Sequence, residues 1–245
     1  MTLLSALPST GYLTSQGKDT LADVSGSPSR PVLRSVMSFR SGQEIYGEND
    51  AGEHWYYLIS GAARKYALMA DGRRRIVDFL LPGDFFGFQP RHRHCFATEA
   101  IEKGTTVARY LRRSLETAAD SNPKLGREIR EIAFQSISRS QARLLILGRV
   151  TALEKVGSFL VEMADRRLDH EDRTVSLPMS RYDIADYLAI SVETVSRALT
   201  ELSRCGRIRF IDKRHLCILD LDSLDYEFER AGATAWHKLG LARSN

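Results

Sequence analysis

Three side chains in the last third of the chain could read the edges of DNA bases. Glu193, Ser196 and Arg197 are spaced so that they share one face of a helix. An arginine can donate two hydrogen bonds to guanine O6 and N7, a glutamate can accept from cytosine N4, and a serine can contact thymine. The combination predicts a helix that enters the major groove. A polar helix face that only meets water is the alternative, and spacing alone leaves it open.

The helix belongs to a predicted pair within residues 179–206. Ser180 is a good N-cap with Asp183 as its capping-box partner, Ser191 is the next N-cap, and Gly206 ends the second helix. The apolar positions at helical spacing are Ile184, Ala185 and Leu188 in the first helix and Val195, Leu199 and Leu202 in the second. This is the pattern of a helix-turn-helix, in which the N-terminal part of the second helix meets the bases.

The amino-acid sequence of this segment resembles that of a known protein family. D-I-A-D-Y-L followed by V-E-T-V-S-R resembles the recognition motif of the CRP/FNR family of bacterial transcription regulators, and its E-x-x-S-R form is similar to the FNR and FixK branches. The resemblance implies a TTGA-type half-site in an inverted repeat. It also implies that Arg197 contacts guanine, Glu193 the facing cytosine and Ser196 thymine. The set of DNA-contacting residues would then be Ser180, Arg181, Glu193, Thr194, Ser196, Arg197, Lys213 and Arg214.

One residue of the turn departs from the family pattern. Ala189 stands where the family usually has glycine. A Cβ in a left-handed conformation costs roughly 1 kcal/mol, so we expect a slightly strained or altered turn.

Length and composition set the outer limits. A chain of 245 residues, 43% of them hydrophobic, can form two domains with full cores. It has no apolar run of about 18 residues, its first thirty residues do not resemble a secretion signal, and its three cysteines suggest no disulfide framework. We therefore expect a cytoplasmic protein without a membrane span. The net charge of +4 permits a polyanionic partner.

Short strands cut by turn residues follow Pro31. Candidate strands are Glu44–Tyr46, Trp55–Ser60, Ala62–Leu68, Arg74–Leu80 and Thr106–Leu111. The runs Y-x-L-I-S-G-A-x-R and L-P-G-D-F-F-G-F resemble the sensor β-roll of the same family. The fold class is thus α+β: an antiparallel β-roll of the jelly-roll, cyclic-nucleotide-binding-like kind, a long dimerisation helix and a C-terminal winged helix-turn-helix.

The β-roll has two possible ligands, and both are expected to be absent. The cAMP-binding members carry a Gly-Glu pair and a well-placed arginine pair, whereas residues 87–96 read GFQPRHRHCF, so we expect no cyclic nucleotide. His92, His94 and Glu99 approach a cupin metal motif, which gives a metal-binding enzyme or sensor as the rival function. No second cupin motif is found and the neighbouring arginines repel a cation. We therefore expect no metal, no cofactor and no catalytic residue.

Residues 123–149 form a predicted long helix after Asn122-Pro123. Ile129, Ile132, Ile137 and Leu144 form a stripe that suits pairing with a second copy, although packing on the chain's own β-roll is the alternative. The family resemblance favours a homodimer, which presents two recognition helices about 34 Å apart.

The remaining segments complete the layout. An amphipathic helix over Thr151–Arg167 and a strand over Thr174–Leu177 precede the helix pair, and a wing follows it, with Lys213 and Arg214 placed to touch phosphate. The predicted parts are a flexible tail (1–30), the β-roll (31–122), the dimerisation helix (123–149), the DNA-binding domain (150–221) and a C-terminal extension (222–245). The resemblance adds RNA polymerase as a partner and low-oxygen or nitrogen-metabolism genes as targets.

Overall fold

The computed structural model describes residues 33–89, 93–169 and 173–221, together with Leu224. The predictions of a tail over 1–30 and of a C-terminal extension over 222–245 therefore lie outside the described residues, apart from Leu224. The chain divides into two compact units. Of the described residues, those up to Ala67 and in Phe79–Gln135 belong to the first unit, and those in Leu68–Asp78 and from Ser136 onward belong to the second.

Two β-sheets form a roll that lies in the first unit except for residues 68–78. Their orders are β1-β8-β3-β6 and β2-β7-β4-β5, and β1 pairs with β8, β8 with β3, and β7 with both β2 and β4, all antiparallel. The strands are β1 Leu33–Phe39, β2 Glu44–Tyr46, β3 His54–Ser60, β4 Ala63–Leu68, β5 Arg74–Leu80, β6 Phe85–Phe86, β7 Ala97–Ala100 and β8 Thr105–Leu111. The roll is the antiparallel β-domain that the sequence predicted.

Two apolar clusters fill this roll. One contains Trp55, Phe85 and Tyr110 with Leu115 of the following helix, and the other contains Phe39, Tyr46 and Leu58 among others. Successive side chains of β3 alternate between the two clusters, since Trp55 and Ile59 belong to the first and Tyr56 and Leu58 to the second.

A tight approach in the roll requires glycine at position 61. Gly61 has φ +80°, and a Cβ there would lie 2.7 Å from the Cα of Thr105. The Ser60-Gly61 turn is thus fixed by sterics as well as by the left-handed backbone.

Two helices follow β8. α1 spans Arg112–Ser121 and α2 spans Pro123–Leu147. Asn122 separates them, since its Oδ1 accepts hydrogen bonds from the amides of Lys124 and Leu125 at 3.1 and 3.3 Å. Pro123 then occupies the first helical position, where its missing N–H costs nothing.

The second unit holds the C-terminal helices and a small sheet. The helices are α3 Ala152–Arg167, α4 Arg181–Leu188 and α5 Val192–Arg204. The strands are β9 Leu168–Asp169, β10 Thr174–Ser176, β11 Ile208–Phe210 and β12 His215–Ile218, in the antiparallel order β11-β12-β10-β9. This is a winged helix-turn-helix. The β4–β5 hairpin, residues 68–78, belongs to the same unit. Among the described helices, none is long and apolar enough to cross a membrane.

Candidate nucleic-acid interface

α4 begins in the way that the sequence predicts. The Ser180 side chain accepts a hydrogen bond from the Asp183 amide at 3.1 Å, and the Asp183 carboxylate accepts from the Ser180 amide at 2.9 Å. The Ser180 hydroxyl also donates to that carboxylate at 2.7 Å. Ser180 is exposed, but its side chain is already used in the cap. Its hydroxyl therefore fixes where α4 starts.

The turn between the helices contains the strained alanine. Ala189 has φ 54° and ψ 46°, a left-handed conformation, and its amide donates to the Ala185 carbonyl. The Ile190 amide donates to the same carbonyl at 3.1 Å. The turn thus keeps the shape that glycine would give it, at the cost of the Ala189 Cβ.

α5 has a buried side and an outward side. Ser191 caps it by accepting a hydrogen bond from the Thr194 amide at 3.2 Å. Four side chains anchor the helix in the core of the unit: Val195, Ala198, Leu199 and Leu202. Glu193, Arg197 and Thr200 are exposed, and Ser196 is half-buried. The predicted trio therefore lies on the side of α5 that the core leaves open.

Local hydrogen bonds and the neighbouring charge keep Glu193 ionised and position Arg197. The carboxylate of Glu193 accepts from its own amide and from Ser191, and it lies near the charge of Arg197, so its pKa is below the ordinary value. Arg197 Nη2 is 3.4 Å from Thr194 Oγ1, which in turn is 2.9 Å from Ser191 Oγ. Glu193 is thus an ionised acceptor beside a cationic donor, the pair of groups that a C·G base pair would meet.

The end of α5 carries a separate ion pair. Arg204 donates to Glu201 at 2.9 and 2.7 Å, and Cys205 Sγ is 3.4 Å from the same carboxylate. The hydrogen bond from Arg204 is the main cause that lowers the pKa of Glu201 to about 2. Arg204 is consequently engaged in an ion pair within the helix.

The wing is a short hairpin that Asp212 shapes. Its Oδ1 accepts from the amides of Arg214 and His215 at 2.7 and 2.9 Å, and Lys213 and Arg214 are exposed. Arg181 lies over the ring of Phe210 in β11, with 5.5 Å between guanidinium carbon and ring centroid. Basic side chains therefore stand both at the start of α4 and on the wing.

Two family models match this architecture. The Crp-like helix-turn-helix domain matches residues 154–226, and the cyclic nucleotide-binding domain matches residues 36–119. The nitrogen fixation regulation protein FixK of Rhizobium meliloti is 37% identical over 215 residues, 87% of this chain and 97% of that protein. The chain belongs to the CRP/FNR family. It is a DNA-binding transcription regulator of that family, whose members are not enzymes.

Further relatives agree with the CRP/FNR assignment. The transcriptional activator protein FnrL of Cereibacter sphaeroides is 31% identical over 206 residues, 82% of each chain. The solved structure of FixK2 from Bradyrhizobium japonicum has a TM-score of 0.73 and 39% identity, and the match covers 78% of this chain and 96% of that one.

The long helix of this CRP/FNR protein presents an apolar stripe to solvent. Ile137 and Leu144 are 52% and 68% exposed, whereas Ile129 and Ile132 are partly buried against the β-roll cluster around Trp55. Phe134, 61% exposed, and Leu145, 42% exposed, extend the stripe. The sequence prediction omitted Phe134, although it precedes Ile137 by three positions and so shares its helix face.

The residues of the rival metal hypothesis have other partners. Glu99 is ion-paired with Arg64, and the ring of His94 is buried and stacked on Tyr46 with 3.8 Å between centroids. Burial lowers the pKa of His94. His92 lies outside the described residues. In the ranges that the structure describes, no three His, Cys, Asp or Glu side chains are grouped so as to hold a metal ion.

Sequence reasoning missed a pair of buried polar side chains that joins α3 to α4 of the helix-turn-helix. Tyr187 and Glu162 are both buried, and the tyrosine hydroxyl donates to the carboxylate at 3.1 Å. Burial is the main cause that raises the pKa of Glu162 to about 7. A glutamate among Val156, Phe159, Leu160 and Met163 was the available signal, because Glu162 follows the inward stripe of α3.

Proposed function

We propose that this regulator binds an inverted repeat of TTGA-type half-sites as a homodimer, with α5 in the major groove. Arg197 donates to guanine, Glu193 accepts from the facing cytosine, and Ser196 contacts thymine. Thr194 and Ser191 hold Arg197 and the helix start in place. Arg181, Lys213 and Arg214 contact phosphates, which adds affinity without sequence preference, and Ser180 supports this contact by capping the helix that begins at Arg181.

The observation that supports this proposal best is the outward trio at the capped start of α5. The inward residues of α5 are buried in the core of the unit, so only the outward face of this helix is available to a partner. That face combines an ionised carboxylate with an exposed guanidinium. The similarity to FixK, FixK2 and FnrL supports the same site.

The homodimer is proposed from the exposed stripe of α2. Phe134, Ile137 and Leu144 are large apolar side chains in contact with water in a single chain. Burying them against a second copy removes that surface from water, at a gain of roughly 25 cal/mol per Å². A two-fold symmetric dimer then places its two α5 helices about 34 Å apart, which is the distance between successive major-groove segments on one side of a DNA duplex.

The wider role follows from the relatives. We propose activation of transcription through contact with RNA polymerase, in the cytoplasm where the promoter DNA is found, at genes of low-oxygen or nitrogen metabolism. The names of FixK and FnrL support activation and nitrogen-related targets. We also propose that no cyclic nucleotide binds, because residues 87–96 depart from the family's phosphate-binding pattern. The proposed domain limits remain 31–122, 123–149 and 150–221.

A titration of labelled duplexes tests the proposal directly. The full chain is titrated with an inverted TTGA repeat and with the same duplex carrying scrambled half-sites, at several salt concentrations. We expect tighter binding to the repeat by about 10³-fold or more at physiological salt, with affinity falling as salt rises. Equal affinity for both duplexes at every salt concentration would reject sequence reading.

A further inference from the structure

One arginine of α2 joins the β4–β5 hairpin to the end of α4. Arg143 Nη1 donates to the Val77 carbonyl at 2.9 Å, and its Nη2 donates to the carbonyls of Ile76 at 2.5 Å and Tyr187 at 3.2 Å. The guanidinium also lies over the Tyr187 ring, 4.5 Å from its centroid. All these residues belong to the second unit.

A cation beside the Tyr187 carbonyl stabilises the C-terminal end of α4. Tyr187 is in the last turn of α4, where the helix carbonyls carry the negative end of the dipole. On its other side the Tyr187 hydroxyl donates to Glu162 of α3 at 3.1 Å. The end of α4 is therefore held through both the backbone and the side chain of one residue.

This anchored end is next to the turn that starts α5. Only Leu188, Ala189 and Ile190 separate Tyr187 from Ser191, the N-cap of α5. A short turn transmits the direction of the first helix to the second. A displacement of Tyr187 would thus tilt the face that carries Arg197.

We infer that Arg143 is a positioning residue for DNA binding, which fixes the end of α4 against the β4–β5 hairpin and so sets the direction of α5. The inference rests on the proposed reading of DNA by α5. Arg143 acts through protein carbonyls and does not touch DNA. Three carbonyls from two segments require several donors in one plane, which a guanidinium has and an ammonium lacks.

The test compares Arg143→Met and Arg143→Lys with wild type in the full chain. Both variants are titrated with the inverted-repeat duplex at 15 °C over several salt concentrations, and hydrogen exchange is measured at the Ala189 and Ile190 amides. Arg113→Met is the charge-matched control, because Arg113 is exposed on α1. Val156→Ala, at a fully buried site of α3, is the control for lost stability.

We expect both Arg143 variants to bind about tenfold more weakly, because a smaller fraction of molecules holds α5 in the competent direction. The salt slope and the base preference stay unchanged, and exchange at Ala189 and Ile190 becomes faster. Arg113→Met and Val156→Ala keep wild-type affinity while folded. If Arg143→Met does not fold, Arg143→Lys decides the matter.

Two results would overturn the inference. One is wild-type affinity and exchange in the Arg143→Lys variant, which would show that charge alone suffices. The other is an equal affinity loss in Val156→Ala, which would reduce Arg143 to general stability. Failure of the wild-type chain to discriminate the repeat from scrambled DNA would instead refute the proposed function, so the two failures are distinct.

Discussion

At the scale of single residues, base reading and phosphate contact have separable consequences. Arg197 donates toward a base edge in the proposed complex, whereas Lys213 on the wing would meet only the backbone. We expect Arg197→Ala to lose about 1–3 kcal/mol of binding free energy and to relax the preference at one base pair. Lys213→Ala should weaken binding to all sequences alike and reduce the salt slope by about 1.

A titration series over single-base variants of the half-site distinguishes these outcomes. Each protein variant is measured against the parent site and against a substitution at every position. A uniform loss for Arg197→Ala across all positions would contradict its assignment to guanine. A position-specific loss for Lys213→Ala would contradict its assignment to phosphate.

The buried carboxyl of Glu162 predicts a pH dependence of stability. Its pKa is raised from 4.5 to about 7 in the folded protein, chiefly by burial. Between these values the folded state holds a proton that the unfolded state has lost, so stability is greatest below pH 4.5 and falls as pH rises toward 7. We expect Glu162→Gln, which cannot ionise, to differ least from wild type at pH 5 and to gain roughly 3 kcal/mol of stability relative to it by pH 8.

Urea unfolding of both proteins at pH 5, 6, 7 and 8 measures this difference. Subtracting the two curves removes the contribution of all other titrating groups. A difference that stays constant from pH 5 to 8 would show that Glu162 is not the group that titrates in this range.

At the scale of the elements, the turn between α4 and α5 carries a removable strain. Ala189 is left-handed, with φ 54°. Ala189→Gly should therefore raise the free energy of unfolding by up to about 1 kcal/mol, since glycine reaches this conformation without a Cβ clash. The same substitution at Ala185, within α4, should lower it by about 1 kcal/mol or more. Thermal unfolding of both variants decides the sign, and a loss at position 189 would contradict the strain.

The stripe on α2 predicts the oligomeric state. Ile137→Glu places a charge among the exposed apolar residues, so we expect monomers and loss of binding to the inverted repeat, because a buried unpaired charge costs several kcal/mol. Gln135→Glu is the control, since Gln135 is exposed and lies on the opposite side of the helix. Light scattering gives the mass of each variant. An unchanged dimer mass for Ile137→Glu would reject the stripe as the interface.

The sequence predicted the helices more completely than the strands, for physical reasons. Capping residues and the spacing of apolar residues predict α4 and α5, and the N-caps of both helices form as expected. β7 was missed because its four residues are all buried and so lack alternation, and β6 because it has only two residues. Partners of buried polar groups, such as Arg143 with Ile76 and Val77, are distant in the chain. Their contacts depend on tertiary structure that no local pattern contains.

At the scale of the whole molecule, two-fold symmetry ties the protein to the spacing of its site. A homodimer that reads two half-sites one helical turn apart gains from both contacts at once, an advantage of about 10² or more over one half-site. Inserting five base pairs at the centre of the repeat turns one half-site to the opposite side of the duplex. We expect affinity to fall to that of a single half-site.

Inserting ten base pairs returns both half-sites to the same side of the duplex but moves them apart by roughly 34 Å. A dimer joined along α2 should not span this added distance. We therefore expect no recovery with the longer insert. The measurement is a titration of the parent, the five-pair and the ten-pair duplexes, with a duplex that carries one half-site as reference. Equal affinity for all three would mean that each copy binds independently, and the symmetric model would fail even if α5 reads every base as proposed.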